Sequence, residues 1–331
     1  MAALSDQLLV VATMTYLVAM ILHAAEYAFL ERSRSTRVAR RPAHELVGVG
    51  AGAGSSAGDG PAGQPLTPVI DAAGRQPHRV AVLAGRAAVA VTVLAALANL
   101  GTTATRGIAA SRAPWGNMYE FLLTLTFVGI AVWLVVLARR PALRHLGLFV
   151  TLAMVLLLGV AGLVLHVPIV PLVPALQSYW FVVHVAAAVI SSGIFLFGVV
   201  PAALFLLRSG YERGKRGFPY TLGRNLPGGV VLERLAFRMH AFAFPIWTFA
   251  IIAGAVWAEA SWGRPWGWDP KETWSFISWV IYAGYLHARA TPSVKRNIVA
   301  WIAVLGFLSM LMNLFGVNLF FGGLHSYAGV D

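Results

Sequence analysis

Apolar residues in this chain come in long unbroken runs, not in strict alternation and not in narrow amphipathic stripes. A run of about 20 apolar residues matches a helix that crosses a bilayer. Lipid leaves only helices and closed barrels able to satisfy their own backbone, and the absence of alternation favours helices. The pattern predicts eight spans, at about 8–30, 80–101, 119–138, 146–165, 180–207, 240–258, 273–290 and 298–317. The first follows a short Ser5-Asp6-Gln7 start and begins LLVVATMTYLVAM. It lacks a basic flank and a small-residue cleavage site, so it reads as a retained span and not as a cleaved signal peptide. The expected fold is an all-α, polytopic membrane helix bundle.

The interruptions between runs divide the chain. Residues 31–79 are Arg-rich, then Gly/Ala/Ser-rich, then Pro-rich. Such a segment has little to bury and reads as a flexible cytoplasmic linker. It separates a first transmembrane helix, 1–30, from a transmembrane core, 80–331. A second polar loop holds a short amphipathic stretch near Val231–Met239, expected to lie on the membrane surface. No internal repeat is evident.

The net charge of +12 would suit a nucleic-acid partner, but its placement favours a different explanation. Of 25 basic residues, seven lie in 31–79, three in 139–144, seven in 208–238 and three in 289–296. The opposite loops hold only Arg106, Arg112, Arg264 and Lys271. Basic loops stay cytoplasmic, so both termini are expected outside, together with the loop Trp262–Pro270. The chain has no cysteine, which excludes disulfides, thiolate metal sites and redox thiols of its own.

Six of the eleven tryptophans fall between Trp257 and Trp279, most of them in WGRPWGWDPKETWSF, residues 262–276. An aromatic belt at headgroup level would also use tryptophan. Belts scatter it over many spans, however. Here Gly263, Pro265, Gly267 and Pro270 break helicity, so Trp262, Trp266 and Trp268 can present their faces from an irregular loop. The residues alone leave belt and ligand platform both open.

The histidines favour the platform. His184, His325 and His166 fall at the same membrane face as the tryptophan loop. Imidazoles facing a large flat aromatic, with indoles around it, describe a haem site, since haem iron takes axial histidine. Two propionates would need cations, and Arg264 and Lys271 are in the loop. His287 lies thirteen residues after Trp274, about 20 Å deeper at helical rise. It is either an intramembrane functional residue or a snorkelling one. His23 with Glu26, one turn apart, raises the same question.

The segment WGRPWGWDPKETWSF, with YLHAR and FGVNLFFGGLHSYA after it and PWGNMYEF before it, resembles the tryptophan-rich WWD haem-handling family. More narrowly it is similar to the CcsA/ResC proteins of the System II cytochrome c biogenesis pathway, from about residue 117 to the C terminus. The resemblance implies that His184 and His325 are axial ligands to haem iron at the outer face. It implies that His287 is the ligand of a second, intramembrane haem position. Trp262, Trp266, Trp268 and Asp269 would form the platform, within a WWD loop spanning 257–279 that also holds Trp274. Asn117, Tyr119 and Glu120 would lie near the site. The implied activity is holocytochrome c synthesis. Haem b crosses from the cytoplasmic side and is presented to the CxxCH segment of apocytochrome c. A separate ResB-like membrane protein completes the complex in the cell membrane.

Two other classes compete. A secondary transporter would bind a small solute near the midplane on broken helices and often shows repeated halves, neither of which the sequence displays clearly. A purely structural anchor leaves the clustered tryptophans and histidines without a use. A haem-handling protein of a related maturation system would share the loop.

Overall fold

Each unbroken apolar run becomes a helix in the computed structural model of the chain, which describes residues 1–39 and 76–325. The α-helices are α1 (Ala2–Ala39), α2 (Gln76–Ala110), α3 (Met118–Arg139), α4 (Gly147–Leu163), α5 (Tyr179–Glu212), α6 (Gly229–Trp262), α7 (Pro270–Ala290), α8 (Arg296–Leu311) and α9 (Val317–Phe320). Among the described residues there is no strand. The fold is therefore the expected all-α membrane bundle. Seven helical stretches are long and apolar enough to cross a membrane by length and composition: Ala2–Phe29, Arg79–Ala110, Met118–Arg139, Pro141–Leu163, Tyr179–Glu212, Gly229–Trp262 and Arg296–Phe320.

The eighth expected span, 273–290, forms α7 but is not among these seven. Its polar residues explain the difference. Ser278 shares a hydrogen bond with Ser309 at 2.9 Å, Ser275 accepts from Asn313 Nδ2 at 2.9 Å, and Trp279 Nε1 donates to Thr248 at 2.9 Å. α7 thus uses polar side chains to bond α6 and α8, at the expense of apolar character. At 1.5 Å per residue its 21 residues reach about 30 Å, the thickness of a hydrocarbon core.

Two expectations meet the structure at their edges. α1 continues to Ala39 and α2 begins at Gln76, so helix enters both ends of the 31–79 segment. The rest of that segment lies outside the described residues. The stretch near Val231–Met239 is not a separate surface helix. It forms the first turns of α6, with Leu232, Leu235 and Ala236 buried in the bundle, because no breaker separates it from the following apolar run.

α1 packs along α2 and α4, α5 packs along α6 and against α3 and α8, and α7 packs against α6 and α8. Buried polar pairs tie these groups together. Glu26 on α1 accepts from Arg144 Nε at 2.6 Å, and buried His23 lies 3.7 Å from Glu26. Near the opposite end of α2, Glu120 accepts from Arg106 Nε at 3.1 Å and from Arg112 Nη1 at 2.6 Å. Helix α8 does not run straight into α9. Met312–Gly316 form a π-helical segment between them, and irregularities of this kind often mark functional positions.

Candidate functional site

The loop between α6 and α7 is built by its caps. Gly263 ends α6 in the left-handed region, φ 69°, and its N–H bonds back to Glu259 O, a glycine C-cap. Asp269 caps α7, with Pro270 at the first helical position and Glu272 completing a capping box. Glu272 Oε2 accepts both the Gly267 and the Asp269 amides, at 2.8 and 3.1 Å. The residue between them, Trp268, has φ 55°. A bulky residue rarely takes that conformation, so the bracketing carboxylate holds a strained turn.

Beside this loop, between α3, α5, α6, α7 and α8, lies a cavity with about 1440 Å³ of empty space, counting its open mouth. Trp115, Phe121, Phe181, Trp247, Trp257, Trp262 and Trp266 line it, with His184, His325, Lys271, Glu272, Asn117, Asn313, Ser192 and Ser275 among its polar members.

His184 projects from α5 with Nδ1 2.8 Å from Ala250 O. A carbonyl only accepts, so Nδ1 carries the proton and Nε2 keeps its lone pair in the neutral ring. The ring packs against Gly254, where a Cβ would come within 2.7 Å of it. It stacks on Trp257 at 5.7 Å and 13°. His325 approaches from the chain after α9. Its Nδ1 lies 2.8 Å from Asp269 Oδ1, and its ring meets Trp257 at 5.7 Å and Trp262 at 5.2 Å, both edge-on. Trp257 therefore touches both imidazoles. Burial pushes the Asp269 carboxyl up, but the hydrogen bond and charge of His325 and the amides of Leu324 and Lys271 outweigh it and hold the group below the usual carboxylate range.

Lys271 Nζ donates to Asn313 O at 3.2 Å, within the π segment. Trp115 Nε1, Trp247 Nε1 and Asn313 Oδ1 are buried without a hydrogen-bond partner among the described residues. The combination of two imidazoles each committed at Nδ1, flat aromatic walls and a lysine fits a planar aromatic ligand with a metal centre and an anionic edge.

The structure thus brings His184, His325, Trp262, Trp266, Lys271 and Asn117 to one cavity, with Asp269 behind His325. Other sequence-derived candidates stand apart. Trp268 is 66% exposed, stacked edge-on with Trp266 at 5.7 Å. Arg264 is exposed, and Trp274 is half-buried on α7 outside the cavity lining. Tyr119 is buried against Arg106 and His166. Glu120 faces Arg106, Arg112 and the Gly116 amide. His166 pairs with Asp6 at 3.1 Å. His287 is exposed on α7, away from the cavity. A further histidine of the bundle, His240, which was not among these candidates, is buried among Phe195, Tyr282 and Tyr285.

Residues 115–325 match the family described as Cytochrome C assembly protein. The chain belongs to this family. The match begins at Trp115 and ends at His325, so it contains every residue of the cavity lining. Among similar proteins are three named Cytochrome c biogenesis protein CcsA. The one from Guillardia theta is 35% identical over 256 residues, covering 72% of this chain and 85% of the relative. That from Porphyra purpurea is 32% identical over 273 residues, covering 72% and 85%. That from Gloeobacter violaceus is 33% identical over 288 residues, covering 71% and 84%. Membership of the CcsA family gives the chain a role in cytochrome c maturation, which involves haem and an apocytochrome.

Trp257, Trp115, Trp247, Phe181 and Asn313 join the site without having been expected there from the sequence. Asn313 carried a usable signal, being a lone amide inside the apolar run LSMLMNLFG, where a polar residue is a functional candidate. Trp257 carried only its place at the edge of the crowded stretch, Trp115 only its place in PWGNMYEF, and Trp247 no signal, since their shared cavity depends on how five helices pack.

Proposed function

We propose that this chain is the haem-presenting subunit of a System II holocytochrome c synthase. His184 and His325 are the axial ligands of the presented haem b, which is substrate and cargo. Trp257, Trp262 and Trp266 cover its faces and edges, and Lys271 meets a propionate. The observation that carries this reading is the pair of Nδ1-committed histidines on one aromatic-lined cavity. Ligating histidines characteristically tie their second nitrogen to a carbonyl or carboxylate, which fixes ring orientation.

In this reading the loop faces the extracytoplasmic side of the cell membrane, which the bias of basic residues toward the opposite loops supports. Bound haem supplies two vinyl groups. Each thiol of the client's CxxCH adds its sulfur to one carbon of a vinyl and its hydrogen to the other, so the cysteine-free chain contributes no thiol. The chain's own work is to hold the haem plane, shield its faces and leave the vinyl edge open to the client. His287 belongs to a second haem position nearer the cytoplasm. Its exposure on α7 supports a ligand shared with a ResB-like partner, not one completed by His240, whose ring is enclosed by the chain's own aromatics.

Visible spectra of the purified complex test the reading. A Soret band with sharp reduced α and β bands is expected, lost or weakened in His184→Ala and His325→Ala and partly restored by imidazole. Wild-type spectra and undiminished cytochrome c formation in both mutants would overturn it.

A further inference from the structure

The π segment does more than join α8 to α9. In an α-helix the Val317 amide would bond to the Asn313 carbonyl, four residues back. Here it bonds to Met312 O, and Asn313 O accepts Lys271 Nζ at 3.2 Å. The wide turn thus mounts a lysine that lines the cavity. No carboxylate forms an ion pair with its ammonium among the described residues. The two acids beside it are engaged elsewhere: Asp269 by His325 and the Leu324 and Lys271 amides, Glu272 by the Gly267 and Asp269 amides.

The side chain of Asn313 is only partly used. Its Nδ2 donates to Ser275 Oγ at 2.9 Å, while Oδ1 is buried without a partner. Ser275 lies one turn after Lys271 on α7, and all three residues line the cavity. A serine hydroxyl can donate as well as accept. The amide can therefore turn over and keep its bond to Ser275, with Nδ2 where Oδ1 now lies. In either setting one end of a buried amide lacks a partner, and such a group costs more unpaired than it returns paired. The cavity's ligand supplies the missing partner. Beside an unpaired ammonium that partner is an anion, which only accepts, so the ligand fixes the Nδ2 setting.

We propose that Lys271 and Asn313, with Ser275 as the positioning residue of the amide, form a carboxylate subsite that reads the propionate edge of a porphyrin and favours the free acid over an ester. The proposal rests on the haem-presentation reading and names the group that the α7–α8 wall recognises. His184 is mounted on α5 with its Nδ1 on Ala250 O of α6, so that imidazole and the carboxylate subsite belong to different walls of the cavity.

The test uses the complex that carries the full chain, titrated by fluorescence with iron-free protoporphyrin IX and with its dimethyl ester. An iron-free ring takes no axial ligand, so the titration reads the subsite and not the histidines. Wild type should bind the diacid at least about tenfold tighter than the diester. Asn313→Leu keeps the size of the side chain. Asn313→Asp keeps its shape and a bond from Ser275, but replaces the donor with a charge of the ligand's own sign. Each should lower diacid affinity by about 10- to 100-fold, what a hydrogen bond to a charged group contributes. Diester affinity should stay close to wild type in both, which also shows that they fold. Ser275→Ala should give a smaller loss, again confined to the diacid, and no loss there removes its positioning role. Wild-type diacid binding in both Asn313 variants, equal losses for the two porphyrins, or a wild type that binds both alike would overturn the proposal. If the diacid is preferred while haem spectra ignore His184→Ala and His325→Ala, the subsite stands and the axial-ligand reading falls. If those spectra change as expected and the diacid is not preferred, the subsite falls and the axial ligands stand.

Discussion

The His184 imidazole lies parallel to the Trp257 indole, 5.7 Å between centroids and 13° between planes. The indole is itself fixed, because Nε1 donates to Ala175 O at 2.9 Å. Trp257 is almost fully buried and also meets His325 and Trp262. It therefore sets the positions of both imidazoles at once.

From this follows the first prediction. Trp257→Ala should destabilise the bundle by about 3–5 kcal/mol through the cavity it leaves. Trp257→Phe should be milder, losing one hydrogen bond of about 0.5–1.5 kcal/mol while keeping a stacking face. Thermal unfolding in detergent ranks the two. Equal melting of both variants would show that neither the ring face nor the buried volume that Phe retains contributes to stability.

Glu272 brackets Trp268 through two amides. In Glu272→Ala those amides lose their acceptor, and the loss of the reciprocal cap should cost about 0.5–2 kcal/mol. Amide exchange over residues 263–270 should increase, with little change in α5. If exchange stays at the wild-type level, the left-handed turn at Trp268 is held by something other than this carboxylate.

Lys271 and Arg264 divide the expected cation role unequally. Lys271 lines the cavity, whereas Arg264 is exposed. Lys271→Gln should lower haem affinity by roughly 10- to 100-fold, the equivalent of one charge-assisted hydrogen bond of about 1.5–3 kcal/mol. Arg264→Gln should change it several-fold less. Haem titration of each variant complex reads the difference, and a larger effect at Arg264 would reverse the assignment.

Glu120 answers two guanidiniums and the Gly116 amide from a buried position. Glu120→Gln should leave Arg106 and Arg112 without a countercharge, costing about 3–5 kcal/mol where such a pair is buried. Reduced thermal stability with haem lost in proportion to folded protein is the expected result. A variant that melts like wild type but binds no haem would make Glu120 a direct site residue.

Much of this could be read in the sequence, and the limits have physical causes. Span positions were legible because lipid demands long apolar runs, and the runs at α2, α3 and α5 are unbroken. The polar residues of α7 were visible in the sequence, but their use was not, since Ser275 and Ser278 disclose their partners only after α8 is placed. His184, His325, Trp262 and Trp266 stood out by residue type and membrane side. The Asp269–His325 contact did not, because it joins positions 56 apart with α7, α8, the π segment and α9 between them. Glu120 was noticed through its motif, yet its two arginines come from α2 and the turn after it, a pairing that no spacing rule expresses.

The π segment at Met312–Gly316 sets the phase of everything after it. A wide turn holds one residue more than an α turn, and one residue is about 100° of helical rotation. Without it, the chain beyond Gly316 would leave α8 pointing elsewhere, and the approach of Leu324 and His325 to Asp269 would be lost. Removing Phe315 or Gly316 alone is thus equivalent to turning a key back in its lock: no side chain that lines the cavity is deleted, yet the tail no longer faces its keeper.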